Sequence, residues 1–287
     1  MTATIIDGTA LAAESRKETA ESVAAFTTAH GWAPGLATVL AGDDPASEVY
    51  VRRKRKAAAE AGLQDFHHHL PGDASHAQVA ALLSELAEDR RVSGILLQLP
   101  LPDGLDRHAL VDLIPVEKDV DGLTTASQGL LARGLPGLRP CTPGGVIRML
   151  DSAGVRLDGA EAVVVGRSEL VGHPAAELLL RRGATVTIAH SRTRALEEVT
   201  RRADVLVAAA GLPGLITAEH VRPGAAVIDV GIHRTENGLT GDVRFAEVCR
   251  TAGWITPVPG GVGPMTIAML LANTIAAAES AIGTTTL

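Results

Sequence analysis

The apolar positions in the first half of the chain recur at helical spacing, with short uninterrupted apolar runs between them. This spacing predicts helices over 9–30, 47–61 and 76–90. The runs at 36–40 and 94–99 predict buried strands, because they are short and end in turns that contain glycine or proline. Since parallel strands need long crossover connections, helices that alternate with short buried strands favour a parallel sheet.

The same alternation continues in the second half of the chain, which begins near Cys141. Helices are predicted around 146–150 and through 178–180, and strands at 162–165, 185–189, 205–209 and 227–230. The apolar tail from 266 to 282 predicts one further helix. We therefore expect a second α/β block followed by a final helix.

The length of the chain favours two domains, because 287 residues are more than one small core usually holds. We place the first domain at 1–140 and the second at 141–265. The final helix, within 266–287, is expected to return to the first domain and complete it. The regular strand–helix alternation of the second domain predicts a Rossmann-like doubly wound parallel sheet.

Composition and charge narrow the class of protein. Hydrophobic residues make up 46% of the chain and charged residues 21%, which is typical of a globular protein. The net charge of −7 argues against nucleic-acid binding, which needs a clustered cationic surface. The two cysteines have no metal-ligand spacing, the N-terminus lacks a signal-peptide pattern, and no apolar run reaches about 20 residues. We expect a soluble, cytoplasmic protein without a metal site.

A glycine turn follows the predicted strand at 162–165 and leads into a helix. This arrangement presents backbone N–H groups and the positive end of a helix dipole to a phosphate, so Gly166-Arg167-Ser168 indicates a dinucleotide site. Ser168 stands where the usual fingerprint has its second glycine. The alternative is that this is an ordinary crossover turn, which any α/β unit needs.

The end of the next predicted strand indicates which dinucleotide is bound. An NAD site usually has an acidic residue there to hold the ribose hydroxyls. Here the strand ends in His190-Ser191-Arg192-Thr193, which offers a hydroxyl and a guanidinium and no acid. Together with Arg167, these groups suit a 2′-phosphate and favour NADP. The alternative is that Arg192 is a solvated loop charge.

The predicted helix at 47–61 combines a basic cluster with Tyr50, the one tyrosine of the chain. Tyr50 and Lys54 are spaced i, i+4 and share a helical face, and an amine beside a phenol is suited to proton transfer. For the cluster as a whole, a solvated basic face is the preferred interpretation. Two groups could join the pair: Gln98, at the carboxyl end of a buried strand, and the turn Asp119–Gly122.

Three consecutive histidines, His67-His68-His69, invite a metal-site interpretation. Consecutive residues of a strand point to opposite faces, and no acidic pattern surrounds this triplet. We therefore predict that they are surface or edge residues.

Six segments of the chain together carry a resemblance to a known family. They are Gly42–Val51 with Lys54, Gln98–Pro102, Pro115–Gly122, Pro140–Pro143, Val165–Pro174 and Pro257–Met265. In these segments the chain resembles the bifunctional methylenetetrahydrofolate dehydrogenase/cyclohydrolase family. The matches span nearly the whole chain in family order, which makes the resemblance highly specific.

The resemblance implies two reactions. The first is NADP-dependent oxidation of 5,10-methylenetetrahydrofolate to the methenyl form, and the second is hydrolysis of that product to 10-formyltetrahydrofolate. It further implies two α/β domains flanking a cleft, a homodimer, and a place in one-carbon metabolism and purine biosynthesis. The alternatives are a dehydrogenase without cyclohydrolase activity and a non-catalytic NADP-binding regulatory protein.

The resemblance also assigns roles to particular residues. Lys54 is implied as the central catalytic residue, with Tyr50, Gln98 and Asp121 as its catalytic partners. The folate-binding positions are Tyr50, Asp121, Pro259, Gly260 and Gly261, and the NADP-contacting positions are Gly166, Arg167, Ser168, Ser191, Arg192 and Ile232.

Overall fold

The computed structural model of the chain describes residues 2–236 and 238–283, and it divides into two compact units. The six-strand unit lies within Met1–Ala13 and Thr142–Thr266. The three-strand unit lies within Glu14–Cys141 and Ile267–Leu287. Each unit has its own parallel sheet.

The secondary structure alternates between helices and strands, as the apolar pattern predicts. The helices are α1 (Gly8–His30), α2 (Pro45–Glu60), α3 (His76–Glu88), α4 (Arg107–Val111), α5 (Thr125–Ala132), α6 (Cys141–Ser152), α7 (Gly172–Arg181), α8 (Leu196–Thr200), α9 (Phe245–Val248) and α10 (Val262–Ala281). The strands are β1 (Thr4–Ile5), β2 (Gly35–Ala41), β3 (Gln64–Leu70), β4 (Gly94–Leu97), β5 (Glu161–Val165), β6 (Thr185–Ala189), β7 (Val205–Ala208), β8 (Ala226–Asp229), β9 (His233–Thr235), β10 (Gly238–Thr240) and β11 (Trp254–Ile255).

The three-strand unit has the sheet order β3-β2-β4, with parallel pairing throughout. Every residue of the central strand β2 is buried, which explains its uninterrupted apolar sequence. The edge strand β3 is only partly buried and carries His67, His68 and His69, which agrees with their prediction as surface or edge residues. Helix α2 begins at Pro45 because the Asp44 side chain accepts a hydrogen bond from Ser47 N at 2.8 Å.

Helix α10 is long and apolar enough to cross a membrane by length and composition alone. It starts at Val262, earlier than the predicted position 266, and is therefore longer than the apolar run in the sequence suggests. Within the three-strand unit, its residues Leu270, Leu271 and Ile275 belong to a hydrophobic core with β2 and β4 residues. A helix that packs into a protein core passes the same test, so its composition is explained by burial of these side chains.

The six-strand unit has the sheet order β1-β11-β8-β7-β5-β6, and all neighbouring strands are parallel. Strand β1 pairs with β11 through Thr4↔Trp254 and Ile5↔Ile255. The start of the chain therefore lies in this unit, whereas the sequence placed all of 1–140 in the first domain. A strand of two residues is too short to show a periodic pattern of apolar residues. It forms only by pairing with β11, which is far away in the sequence.

A buried carboxylate organises the loops that follow β8 in the six-strand unit. Asp229 is 3% exposed and accepts hydrogen bonds from the backbone N–H groups of Gly231 (3.0 Å), Asp242 (2.9 Å) and Val243 (3.0 Å). Burial raises the pKa of Asp229 to about 6, although these three donors act in the opposite direction. Asp229 thus fixes the backbone on both sides of the hairpin β9–β10.

This raised pKa predicts how the stability of the protein depends on pH. Because the folded pKa of about 6 lies above the ordinary value of 3.8, the stability that protonated Asp229 contributes is full below the ordinary value and lost as the pH rises through 6. An Asp229→Asn variant cannot titrate. We expect the stability advantage of the original protein over this variant to shrink by on the order of 2 kcal/mol between about pH 4 and about pH 7. Urea unfolding of both proteins measures this, and an advantage that grows with pH contradicts it.

Candidate active site

Lys54 and Gln98 form the centre of a polar cluster in the three-strand unit. Lys54 lies on α2 and is only 7% exposed. Its Nζ donates a hydrogen bond to Gln98 Oε1 at 3.0 Å, and Gln98 lies directly beyond the carboxyl end of β4. Gln98 Nε2 donates to the Leu99 carbonyl, which fixes the amide so that its oxygen faces Lys54. The structure therefore brings together two of the predicted catalytic residues.

The two carboxylates of the turn Asp119–Gly122 have different environments. Asp119 is buried and accepts hydrogen bonds from the backbone N–H groups of Leu123 (3.2 Å) and Thr124 (2.8 Å), so it holds the loop. The Asp121 carboxyl interacts electrostatically with Lys54. Burial raises the pKa of Asp121, and the nearby positive charge of Lys54 opposes that rise. Asp121 thus joins the Lys54 cluster, and Asp119 supports the turn.

Tyr50 lies one helical turn before Lys54 on α2 and is 38% exposed. Its partly exposed ring offers an aromatic face to a flat ligand. The basic residues around it form a solvated face, as the sequence predicted for the cluster as a whole: Arg52, Arg53 and Lys56 are exposed. The helix therefore separates a buried amine from a solvated basic face.

Cys141 is a further member of this cluster that the sequence reasoning missed. Its Sγ donates a hydrogen bond to the Val120 carbonyl at 3.1 Å. Burial, followed by the charge of Asp121, raises the pKa of the Cys141 thiol well above its usual range. The segment Pro140–Pro143 is one of the six that resemble the family, and this match was the sequence signal that could have pointed to Cys141.

Gly166, in the six-strand unit, lies where the order of the sheet reverses. Strand β5 has β6 on one side and β7 on the other, and such a switch point is where open α/β sheets bind ligands. Gly166 has φ +130°, and a Cβ there would lie 2.0 Å from the Ala209 carbonyl oxygen just beyond β7. Glycine is therefore required for the turn to pass this close to the neighbouring strand.

The turn after Gly166 is organised by Ser168. Its Oγ accepts hydrogen bonds from the backbone N–H groups of Val171 (3.2 Å) and Gly172 (3.3 Å), and its carbonyl accepts from His173 N (3.0 Å). Pro174 has no N–H group. The first-turn amides of α7 are thus engaged within the protein, whereas the sequence predicted them as open phosphate donors. The exposed side chains of Arg167 and Ser168 remain available at this turn.

The remaining predicted cofactor residues lie beyond the carboxyl ends of β6 and β8. His190 N donates to Thr193 Oγ1 at 2.8 Å, and Arg192 N donates to His190 Nδ1 at 3.1 Å. This compact turn leaves Ser191 and Arg192 exposed beside the end of β5. Ile232, which follows β8, is also exposed, as an apolar contact for a ligand would be.

The segment Pro259–Gly261, predicted to border the folate, packs against the start of α1 within the six-strand unit. The Gly260 carbonyl accepts a hydrogen bond from Thr9 N at 3.0 Å. A Cβ on Gly8 would lie 1.9 Å from the Gly261 carbonyl oxygen, so the two segments are in direct backbone contact. This packing fixes the shape of the Pro259–Gly261 turn.

A doubly wound parallel sheet with a glycine turn at its switch point defines a dinucleotide-binding α/β protein. The second unit adds a buried lysine, an amide and a carboxyl, which are groups that can move and hold protons. Together they define the class as a dinucleotide-dependent enzyme.

Comparison with known proteins identifies the family. The NAD(P)-binding domain of tetrahydrofolate dehydrogenase/cyclohydrolase matches residues 140–282, and the catalytic domain of the same family matches residues 6–121. The chain belongs to the tetrahydrofolate dehydrogenase/cyclohydrolase family. The bifunctional protein FolD 2 of Frankia alni is 65% identical over 281 residues, covering 98% of each chain. The bifunctional protein FolD of Bordetella avium is 57% identical, covering 97% of this chain and 98% of that one.

Solved structures agree with this assignment. The bifunctional FolD enzyme of Campylobacter jejuni superposes with a TM-score of 0.94 at 44% identity, covering 97% of this chain and 99% of that chain. The Trypanosoma brucei dehydrogenase-cyclohydrolase, solved with NADP and an inhibitor, has a TM-score of 0.94 at 39% identity and covers 99% of both chains. The expected family, the two-domain α/β fold and the bifunctional dehydrogenase/cyclohydrolase activity are thereby confirmed.

Proposed function

We propose that this protein oxidises 5,10-methylenetetrahydrofolate to 5,10-methenyltetrahydrofolate with NADP and then hydrolyses the product to 10-formyltetrahydrofolate, with Lys54 as the central catalytic residue. The observation that carries the proposal is the buried hydrogen bond from Lys54 Nζ to Gln98 Oε1, with the Asp121 carboxyl nearby. Bifunctional relatives that match the chain over nearly its whole length support both reactions.

The six-strand unit holds the dinucleotide in this proposal. When bound, NADP supplies the acceptor for a hydride from the one-carbon bridge of the substrate. Gly166 lets the turn approach the sheet closely, and Ser168 offers a polar side chain to the pyrophosphate. Arg167, Ser191 and Arg192 bind the 2′-phosphate, and the exposed apolar side chain of Ile232 contacts the cofactor.

The three-strand unit handles the protons of the hydrolysis. Water adds to the methenyl carbon and loses a proton, which leaves a hydroxyl on that carbon. The bond between the carbon and N5 then breaks, N5 takes up a proton, and the hydroxyl loses its proton to solvent as it becomes the formyl C=O, so that one proton is released overall. Lys54 Nζ, as the neutral amine, accepts the first proton and, as the ammonium, returns one to N5. Gln98 Oε1 holds the amine in one orientation at 3.0 Å, so that no large side-chain movement is needed between the two transfers.

Substrate binding is assigned to groups whose chemistry fits the folate. The Asp121 carboxyl accepts hydrogen bonds from the N–H groups of the pterin ring, and the half-exposed ring of Tyr50 stacks on a flat part of the substrate. The turn Pro259–Gly261 borders the folate. Its backbone is fixed by its contacts with Gly8 and Thr9.

A coupled assay tests the two reactions together. The purified protein is mixed with methylenetetrahydrofolate and either NADP or NAD, and methenyl absorbance is followed as it appears and decays. With NADP we expect both phases. Appearance without enzyme-dependent decay would favour a dehydrogenase without cyclohydrolase activity, and no methenyl absorbance at any enzyme concentration would favour a non-catalytic NADP-binding regulator.

The preference for NADP is expected to depend on Arg192. Removing its guanidinium in Arg192→Ala should lower the ratio of kcat/KM with NADP to kcat/KM with NAD by about tenfold or more, because a charged hydrogen bond to the 2′-phosphate is lost. Arg194→Ala is the matched control, since Arg194 is exposed two residues further on. If the unmodified protein used NAD and NADP with equal efficiency, the roles given to Arg167 and Ser191 would be wrong.

We further propose a cytoplasmic homodimer whose formyl product serves one-carbon metabolism and purine biosynthesis, with no nucleic-acid or membrane partner. The net charge of −7 supports the absence of a nucleic-acid partner. Both cysteines are buried and free, which fits a reducing compartment. Light scattering on the purified protein distinguishes a dimer from a monomer.

A further inference from the structure

One polar residue in the apolar helix α10 has a set of contacts that the proposed mechanism does not use. Asn273 is 8% exposed and lies among the core residues of the three-strand unit. Its Nδ2 donates hydrogen bonds to the Val120 carbonyl and to the Arg139 carbonyl, both at 2.8 Å. It also lies 3.7 Å from the Cys141 Sγ. A buried amide costs free energy unless its hydrogen bonds are made, so these contacts are specific.

The two carbonyls belong to separate segments of the chain. Val120 directly precedes Asp121, and Arg139 lies two residues before Cys141. The segments are in close backbone contact, since a Cβ on Gly122 would lie 2.6 Å from Pro140 N. The Cys141 thiol adds a further link by donating to the Val120 carbonyl at 3.1 Å. Asn273 therefore joins the turn that carries Asp121 to the segment that carries Cys141.

We propose that Asn273 is a positioning residue for folate binding, which holds the Asp121 turn against the Arg139–Cys141 segment and so sets the direction of the Asp121 carboxyl. This inference rests on the proposed role of Asp121 in binding the pterin ring. Asn273 acts through the Val120 backbone and touches neither substrate nor cofactor. Small displacements of a binding carboxyl weaken a directional hydrogen bond, so its loss affects substrate affinity first.

The test compares Asn273→Leu with two other substitutions on the same helix. Asn273→Leu keeps the branched shape of the side chain and removes both N–H donors, and Asn273→Gln keeps the amide. Thr274→Val is the matched control, because the buried Thr274 hydroxyl donates to the Leu270 carbonyl within α10 itself. For each protein, KM for methylenetetrahydrofolate, kcat, the Kd for NADP and the Tm are measured.

We expect Asn273→Leu to raise the folate KM at least tenfold while kcat changes less than about threefold and the Kd for NADP stays constant. Asn273→Gln should recover part of the KM, and Thr274→Val should resemble the unmodified protein. An unchanged KM would overturn the inference, as would parallel losses in kcat and NADP affinity, which indicate general destabilisation. If Asn273→Leu does not fold, Asn273→Ser, which keeps one donor, is held to the same criteria.

Asp121→Asn separates failure of this inference from failure of the proposed function. If Asp121→Asn raises the folate KM and Asn273→Leu does not, the site assignment stands and the positioning role is wrong. If neither variant changes KM, the assignment of Asp121 to the pterin is wrong, and the role of Asn273 is overturned with it.

Discussion

Replacing Lys54 by methionine is expected to lower kcat for methenyltetrahydrofolate hydrolysis by about 10²–10⁴-fold, the usual contribution of a general acid–base group. Methionine keeps an unbranched apolar stem on α2 and removes the only group at this position that can carry a proton. NADP binding should be unchanged, because the residues assigned to the cofactor lie in the six-strand unit. Stopped-flow absorbance measures the hydrolysis, and calorimetric titration measures NADP binding.

Lys56→Met is the matched control for this substitution. Lys56 lies on the same helix, its side chain is 76% exposed, and its Nζ is 3.7 Å from Glu60. Such an exposed pair contributes little, so both activities should remain close to those of the unmodified protein. The Tm of each variant is measured as well, since Lys54→Met leaves Gln98 Oε1 without its donor. Hydrolysis by Lys54→Met at the unmodified rate would contradict the role of Lys54.

Gly166→Ala is expected to lower both the stability of the protein and its affinity for NADP by large amounts. The new Cβ would lie 2.0 Å from the Ala209 carbonyl oxygen, on a backbone with φ +130° that alanine rarely adopts. The turn must move away from β7, so we expect the free energy of unfolding to fall by about 3 kcal/mol or more. The Kd for NADP should rise by about 100-fold or more, because the turn that positions the phosphate-binding groups has moved. Urea unfolding and NADP titration measure these two quantities.

Gly159→Ala separates steric overlap from backbone strain. Gly159 also has positive φ, +76°, but nothing lies within 4 Å of the position of its Cβ. It lies before β5, at the opposite end of that strand from Gly166. We expect Gly159→Ala to cost about 1 kcal/mol and to leave the Kd for NADP unchanged. Equal effects of the two substitutions would show that close contact with Ala209 has no particular importance.

Burial on both faces decided which elements could be predicted from the sequence. Strands such as β2 and β5 give continuous apolar runs because both of their faces are covered, and the sequence located them to within a residue or two. Strand β3 was missed, because it has one neighbour and carries partly exposed histidines. The strands β1 and β11 are two residues long, and their existence depends on pairing between distant parts of the chain.

Dependence on contacts between distant residues also limited what could be predicted of the candidate site. The i, i+4 spacing of Tyr50 and Lys54 could be read from the sequence, since helix geometry places both residues on one face. The sequence could not distinguish the roles of Asp119 and Asp121 from their residue types, because these depend on which carboxyl the loop backbone reaches. The role of Asn273 could not be predicted for a related reason: a polar residue in an apolar helix indicates no function until its hydrogen-bond partners are known.

The pairing of β1 with β11 has a consequence for how the chain folds during synthesis. Strand β1 of the six-strand unit is synthesised before the whole three-strand sheet, and its partner β11 is synthesised after that sheet. The three-strand unit needs residues from Ile267 onward. Neither unit can therefore be completed before most of the other has been synthesised, in contrast to proteins whose domains fold one after another from the N-terminus. Nascent chains that end before α10 contain every strand of the six-strand sheet but lack the helix residues that the three-strand core needs.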